Sequence, residues 1–101
     1  MAYVLQVDFD MEGPFGEEMA ESFEGLAQSI NEEDGFIWKI WTEDEETKQA
    51  GGIYLFDTKA HAKKYLDMHT ARLKEFGIEP VRAKIFQVND ALTNINHGPV
   101  K

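Results

Sequence analysis

The stretch Phe36-Ile37-Trp38-Lys39-Ile40-Trp41-Thr42, followed by Gly52-Ile53-Tyr54-Leu55-Phe56, decides the fold of this 101-residue chain. Aromatic and β-branched residues dominate both segments, which is typical of β-strands. The intervening segment Glu43–Gln49 is polar and charged, as expected for a hairpin loop. The centre of the chain is therefore predicted to form an antiparallel pair of strands.

The residues before this hairpin predict one strand and one helix. Ala2–Asp10 alternates between apolar and polar side chains, which indicates a strand. Met11–Gly16 contains Gly-Pro and reads as a loop. From Glu17 to about Asn31, apolar residues recur at steps of three and four, which predicts a single amphipathic helix.

The residues after the hairpin predict one helix followed by one strand. Asp57 or Thr58 can cap a helix that runs to about Phe76, and Pro80–Val88 is predicted as a fourth strand. The resulting order, βαββαβ, favours an α+β ferredoxin-like fold with an antiparallel sheet and both helices on one face. We expect a single domain over residues 1–90 and a C-terminal arm over residues 91–101.

The sheet face away from the helices is predicted to be apolar as well. Strict alternation places Phe36, Trp38 and Ile40 on one face of their strand and Lys39 and Trp41 on the other. The third and fourth strands also have apolar residues on both faces. Because a soluble monomer rarely exposes so large an apolar patch, we expect a second copy of the chain to cover it, giving a homodimer.

Charge and composition exclude several classes of function. The net charge is -9, and residues 1–50 carry fourteen acidic side chains against two basic ones. Such a balance repels a phosphate backbone, so no nucleic-acid partner is expected. The chain has no cysteine and no apolar run long enough to span a membrane. Together with the lack of a secretion signal, these features predict a cytoplasmic protein with no membrane partner.

Three residues stand out as candidates for chemistry. His69 lies on the apolar stripe of the second predicted helix, where it can act as a general base or hydrogen-bond donor, or be a satisfied core histidine. Trp38 and Trp41 point to opposite faces of their strand, so at most one of them lines a pocket on the helix side, and the other packs between sheets. The histidine spacing predicts no metal site.

Lys39 and Phe23 have two interpretations each. Lys39 is the single base in a strand of aromatics, and pairing with Glu43 on the same face is favoured over contact with an anionic substrate oxygen. Phe23 is a core residue or a pocket wall. Gly51-Gly52 lacks the spacing of a phosphate-binding loop.

The segments Phe36–Trp41, Thr42–Thr47 and Ala50–Phe56 resemble the YdhR-type monooxygenases, and the similarity extends over nearly the whole chain. Relatives of that family, the antibiotic-biosynthesis-type monooxygenases, are dimeric α/β barrels built from two ferredoxin-like subunits. They oxidise aromatic polyketides or quinol-like compounds with molecular oxygen, without metal or flavin. The resemblance therefore implies a cofactor-independent monooxygenase that acts on a small phenol- or polyketide-like compound.

The same resemblance implies a set of site residues. Polyketide-oxidising relatives line their pocket with a tryptophan, an asparagine, a tyrosine and an arginine. For the tryptophan, tyrosine and arginine this chain offers Trp38 or Trp41, Tyr54 or Tyr65, and Arg72 or Arg82. The implied catalytic residues are His69, Tyr54 and Arg72, and the implied substrate-binding residues are Trp38, Phe23, Trp41, Tyr65 and Lys39. A non-catalytic protein that binds a small aromatic ligand is the alternative, and an isomerase or decarboxylase of the same fold is a third.

Overall fold

A computed structural model describes residues 1–100 of the chain. Eight elements follow one another: β1 (Tyr3–Asp10), α1 (Gly16–Ser22), α2 (Glu24–Ile30), β2 (Phe36–Asp44), β3 (Gln49–Phe56), α3 (Lys59–Glu75), β4 (Arg82–Gln87) and α4 (Asp90–Ile95). The strands form one sheet in the order β2-β3-β1-β4, and every neighbouring pair is antiparallel. The predicted ferredoxin-like α+β fold is confirmed.

The main core lies between one face of the sheet and the helices. β1 contributes Leu5, Val7 and Phe9, which are between 0% and 7% exposed. These side chains pack in one cluster with residues of β3 and with Ala62 and Tyr65 of α3. Because the strands alternate, the same pleats direct Tyr54 and Phe56 of β3 into this core.

The first helical segment differs from the single helix that the sequence predicts. The chain leaves helical geometry at Phe23, which has φ -106° and ψ 9° and separates α1 from α2. Met19 of α1 and Ile30 of α2 are both buried in the main core. The predicted apolar stripe is therefore present, but it is divided between two short helices.

A β-bulge at Ile37 changes the expected faces of β2. Phe36 pairs with Phe56, whereas Trp38 pairs with Leu55, so one extra residue is inserted between them. The bulge places Phe36 on the helix side together with Lys39 and Trp41. The expectation that Phe36 shares a face with Trp38 is therefore wrong, because strict alternation fails where a strand bulges.

The opposite face of the sheet, called the outer face below, is only partly covered. Trp38, Leu55 and Val100 pack there with Ala2 and Val88, and the Trp38 Nε1–H donates to the Pro99 carbonyl at 2.8 Å. The C-terminal tail, which contains the unpredicted helix α4, thus folds back onto this face up to Val100, and Lys101 lies outside the described residues. Farther along the sheet, Ile40 and Phe86 remain 53% and 49% exposed.

Within residues 1–100, none of the helices has the length and apolar character needed to cross a membrane.

Candidate functional site

A cavity of about 780 Å³ lies between the helix side of the sheet and helices α1, α2 and α3. Its walls are largely apolar and include Phe9, Met19, Phe23, Trp41, Phe76 and Ile78. A space of this size and character suits a small organic ligand.

One wall of the cavity is aromatic. The rings of Phe23 and Trp41 are stacked, with centroids 6.2 Å apart and an interplanar angle of 28°. The break between α1 and α2 falls at Phe23, and the bulge in β2 sets the face from which Trp41 projects. Flat apolar rings of this kind provide a contact surface for a planar aromatic ligand.

The polar side chains that line the cavity include Lys39 from β2, Tyr54 from β3, and His69 and Arg72 from α3. Arg72 Nη2 donates to His69 Nδ1 at 2.9 Å and to the Tyr65 hydroxyl at 3.4 Å. The Tyr65 hydroxyl lies 3.2 Å from that of Tyr54. These contacts link α3 to the sheet, and the four residues together with the neighbouring Lys39 are called the polar cluster (Lys39, Tyr54, Tyr65, His69 and Arg72).

The protonation states in the polar cluster follow from burial and from the Arg72 charge. Burial, with help from Arg72 and Lys39, lowers the pKa of His69 to about 3. The imidazole is therefore neutral at physiological pH, and because Nδ1 accepts from Arg72, its proton resides on Nε2. Burial raises the pKa of the Tyr54 hydroxyl, which stays protonated.

Lys39 occupies an unusual environment for an amine. Burial, reinforced by the charge of Arg72, lowers the pKa of Lys39 to about 7. Its Nζ lies 3.3 Å from the centroid of the Trp41 ring and 4.6 Å from that of Tyr54. Ring faces attract the ammonium form, and desolvation opposes it, so both forms of the amine are accessible near neutral pH.

The expected pairing of Lys39 with Glu43 is wrong. Glu43 Oε1 instead accepts from the backbone N–H of Gly16 at 2.7 Å, at the start of α1. Among residues 1–100, no carboxylate oxygen lies within 4 Å of Lys39 Nζ. The amine therefore faces the cavity without a counter-ion from the described chain.

Gly52 makes room for the Lys39 side chain. Gly52 lies opposite Trp41 in the β2–β3 pairing, and a Cβ atom there would come within 2.6 Å of Lys39 Cε. The Gly51-Gly52 pair is consequently a feature of strand packing. Gly51 lacks space for a side chain because a Cβ would meet the Val7 carbonyl of β1.

The structure brings together six of the eight residues that the resemblance implied. His69, Tyr54, Arg72, Phe23, Trp41 and Lys39 all line the cavity. Tyr65 lies behind Tyr54, is 2% exposed and reaches the site through its hydroxyl. Trp38 lies on the outer face, on the other side of the sheet from this cavity. The alternative arginine, Arg82, is on β4 and contacts Asp10 at 3.4 Å.

Other lining residues were missed by the sequence reasoning. Met11 and Pro14 belong to the loop after β1, and Phe76 and Ile78 flank Gly77 at the end of α3. Loops carry no periodic pattern, so the sequence offered no signal that these residues meet at one cavity.

In the part of the chain that the structure describes, no three His, Asp or Glu side chains gather as a possible metal site. His61 lies away from the cavity and contacts Asp57 Oδ1 through Nδ1 at 2.7 Å.

The structure thus defines a ferredoxin-like domain with an aromatic-lined cavity and a partly buried basic cluster. Residues 4–99 match the model of the family described as "Putative mono-oxygenase ydhR", and the chain belongs to this family. The family model thus indicates a monooxygenase.

Solved structures support the same fold. The chain is similar to the crystal structure of a protein from Deinococcus radiodurans described as a "putative antibiotic biosynthesis monooxygenase". The TM-score is 0.57 and the sequence identity 14%, with 88% of this chain and 93% of that chain covered. No curated protein matches the sequence.

Proposed function

We propose that the protein is a cofactor-independent monooxygenase that oxidises a small phenol to a quinone with molecular oxygen. The observation that carries this proposal is the cavity itself, in which an aromatic wall leads to a partly buried cluster of hydrogen-bond donors and cations. Such a site fits a flat ring with one oxygen that becomes negatively charged.

The stoichiometry requires no external reductant. A phenol with a free carbon para to its hydroxyl reacts with O₂ to give a para-quinone and water. The ring loses four electrons, and O₂ gains them: one oxygen atom becomes the new carbonyl and the other leaves as water. The ring carbon loses its hydrogen, the hydroxyl loses its proton, and both end in the water. Loss of the phenolic proton starts the reaction because a phenolate gives up electrons more readily than a phenol.

The chain's own residues have distinct roles in this proposal. Phe23 and Trp41 hold the ring, while the guanidinium of Arg72 stabilises the developing phenolate oxygen. His69, neutral and with its proton on Nε2, serves as a donor and not as the general base. The Tyr54 hydroxyl is a second donor, and its contact with Tyr65 fixes its position.

We infer further that two copies associate through their outer faces. Ile40 and Phe86 are exposed on this face, and Leu92 and Ile95 of α4 are 60% and 70% exposed. Packing of two such faces would remove these side chains from water and give the dimeric α/β barrel that the resemblance implies.

The decisive experiment measures oxygen uptake with a panel of phenols and naphthols, and product formation by mass spectrometry under ¹⁸O₂. One labelled oxygen atom per quinone and one O₂ consumed per substrate support the proposal. Tight binding of the same compounds with no oxygen consumption would favour the alternative, a non-catalytic protein that binds small aromatic ligands.

A further inference from the structure

We propose that Lys39 is the base that takes the proton from the substrate hydroxyl, so that the ligand is held as a phenolate between the Lys39 ammonium and the Arg72 guanidinium. This inference rests on the proposed function, since it names the proton acceptor of that reaction and restricts its substrates to compounds with an acidic hydroxyl. Proton transfer converts the phenol O–H and the lysine amine into a phenolate and an ammonium, and no other reactant is needed.

The geometry leaves Lys39 as the available acceptor within the polar cluster. His69 Nδ1 already accepts from Arg72, and Nε2 carries the proton, so the ring has no free lone pair. Arg72 is permanently cationic. Tyr54 is a protonated phenol in contact with a second phenol. A neutral Lys39 amine, in contrast, has a lone pair and no partner among the carboxylates of residues 1–100.

Carboxylates are present at the rim, but they are poorly placed to act as the base. Asp10 has a side chain that is 72% exposed and contacts Arg82. Glu12 is also exposed. The titratable and charged groups that line the space around Lys39 are, by element, Asp10 of β1, Glu12 of the following loop, Glu24 of α2, Tyr54 of β3, and His69 and Arg72 of α3.

Charge complementarity supports an anionic bound form. The polar cluster holds the permanent charge of Arg72, and burial together with that charge lowers the pKa of Lys39, so a second cation is costly here. A phenolate oxygen would offset that cost by pairing with both cations. The aromatic ring of Trp41, over which the Lys39 amine lies, also stabilises the ammonium that forms.

The test uses 1-naphthol under argon, so that binding is observed without turnover. At a pH above about 7, where Lys39 is neutral, wild type is expected to bind the ligand as naphtholate, detected by its absorbance, with no net proton release to the buffer. Proton release is measured by calorimetry in two buffers that differ in ionisation enthalpy. The Lys39→Arg variant should also bind naphtholate but release one proton, because arginine cannot accept it.

Two lysine variants complete the design. Lys39→Met should give no naphtholate signal and should lower kcat/KM for oxygen uptake by about 10²–10⁴-fold, the usual range for a lost general base. Lys63→Met is the matched control, since Lys63 is an exposed residue of α3 that contacts Asp67. It should behave as wild type in both measurements.

The outcomes separate this inference from the proposed function. A naphtholate signal that depends on Lys39, without any oxygen uptake, would support Lys39 as the base and contradict the monooxygenase. Oxygen uptake that persists in Lys39→Met would support the monooxygenase and contradict Lys39 as the base. A wild-type protein that shows no naphtholate at saturating naphthol, or that releases a full proton on binding, overturns the assignment of Lys39.

Discussion

Arg72 Nη2 donates a hydrogen bond to His69 Nδ1 across 2.9 Å, one turn apart on α3. This contact determines the tautomer of His69 and places a permanent charge beside it. A histidine on the apolar stripe of a helix near a ligand cavity would ordinarily be assigned as the general base. The Arg72 contact argues for a different role, since a cation at Nδ1 opposes protonation of the ring.

Removal of the Arg72 charge should raise the pKa of His69. We expect Arg72→Met to move it upwards from about 3, although it should stay below the usual 6.5 because burial is the larger cause. The titration of the imidazole C–H signals by NMR measures this shift. Arg82→Met, which removes the same charge from the far side of the sheet, should leave the His69 titration unchanged. An unchanged titration in Arg72→Met would contradict the geometry.

His69 should also make the fold sensitive to acid. Its pKa is about 3 in the folded chain and 6.5 when unperturbed, so between these values the unfolded chain binds the extra proton. The contribution of His69 to the free energy of unfolding is fully present above pH 6.5 and is lost as the pH falls towards 3. The free energy of unfolding changes by up to about 1.4 kcal/mol per pH unit in this range. Urea unfolding at several pH values measures the slope. His69→Gln should flatten it.

The contact between the two buried tyrosines should contribute to stability. Tyr54 and Tyr65 are 1% and 2% exposed, and their hydroxyls are 3.2 Å apart. Tyr65→Phe should lower the free energy of unfolding by about 1–2 kcal/mol, because the Tyr54 hydroxyl loses a buried partner. The double variant with Tyr54→Phe should cost less than the sum of the two single variants. Strict additivity in urea unfolding would mean that the contact contributes nothing.

Gly52→Ala should affect activity more than stability. The added methyl group would displace the end of the Lys39 side chain, which is flexible enough to move, and would lie 3.2 Å from Tyr54 Cε1 and 3.3 Å from the Ile40 carbonyl, which need to shift by only a few tenths of an ångström. We therefore expect a fall of at least about tenfold in oxygen uptake, as for a misplaced proton acceptor, with a small change in the free energy of unfolding.

Gly25→Ala is the matched control for this change. Gly25 lies in α2 with no atom within 4 Å of an added Cβ. The alanine should raise the free energy of unfolding by up to about 1 kcal/mol and leave activity unchanged. Equal losses of activity in the two alanine variants would show that Gly52 has no special role.

The outer face should determine the state of association. Ile40→Glu places a charge at an apolar side chain that is 53% exposed, and it should convert the expected dimer into a monomer in sedimentation velocity. Met68→Glu alters an exposed apolar residue of α3, on the helix side, and should sediment as wild type. A wild-type protein that is monomeric at micromolar concentration would contradict the proposed association.

Much of the fold could be predicted because it depends on periodic patterns. The strands of the central hairpin, the long helix α3 and the order of the four strands all follow from alternation or from steps of three and four. The break at Phe23 and the bulge at Ile37 could not be read in this way, since both are single-residue departures that packing against the sheet selects.

The sequence by itself determined the elements, the acidic charge and the supply of aromatic and basic residues, because these depend on local pattern and composition. Only the tertiary structure decided which tryptophan reaches the cavity, since the bulge sets the faces of β2 and directs Trp38 to the outer face. It likewise decided that Lys39 lines the cavity instead of pairing with Glu43, and that Arg72 contacts His69. Protonation depends on burial and on charges brought together across elements, which no local pattern records.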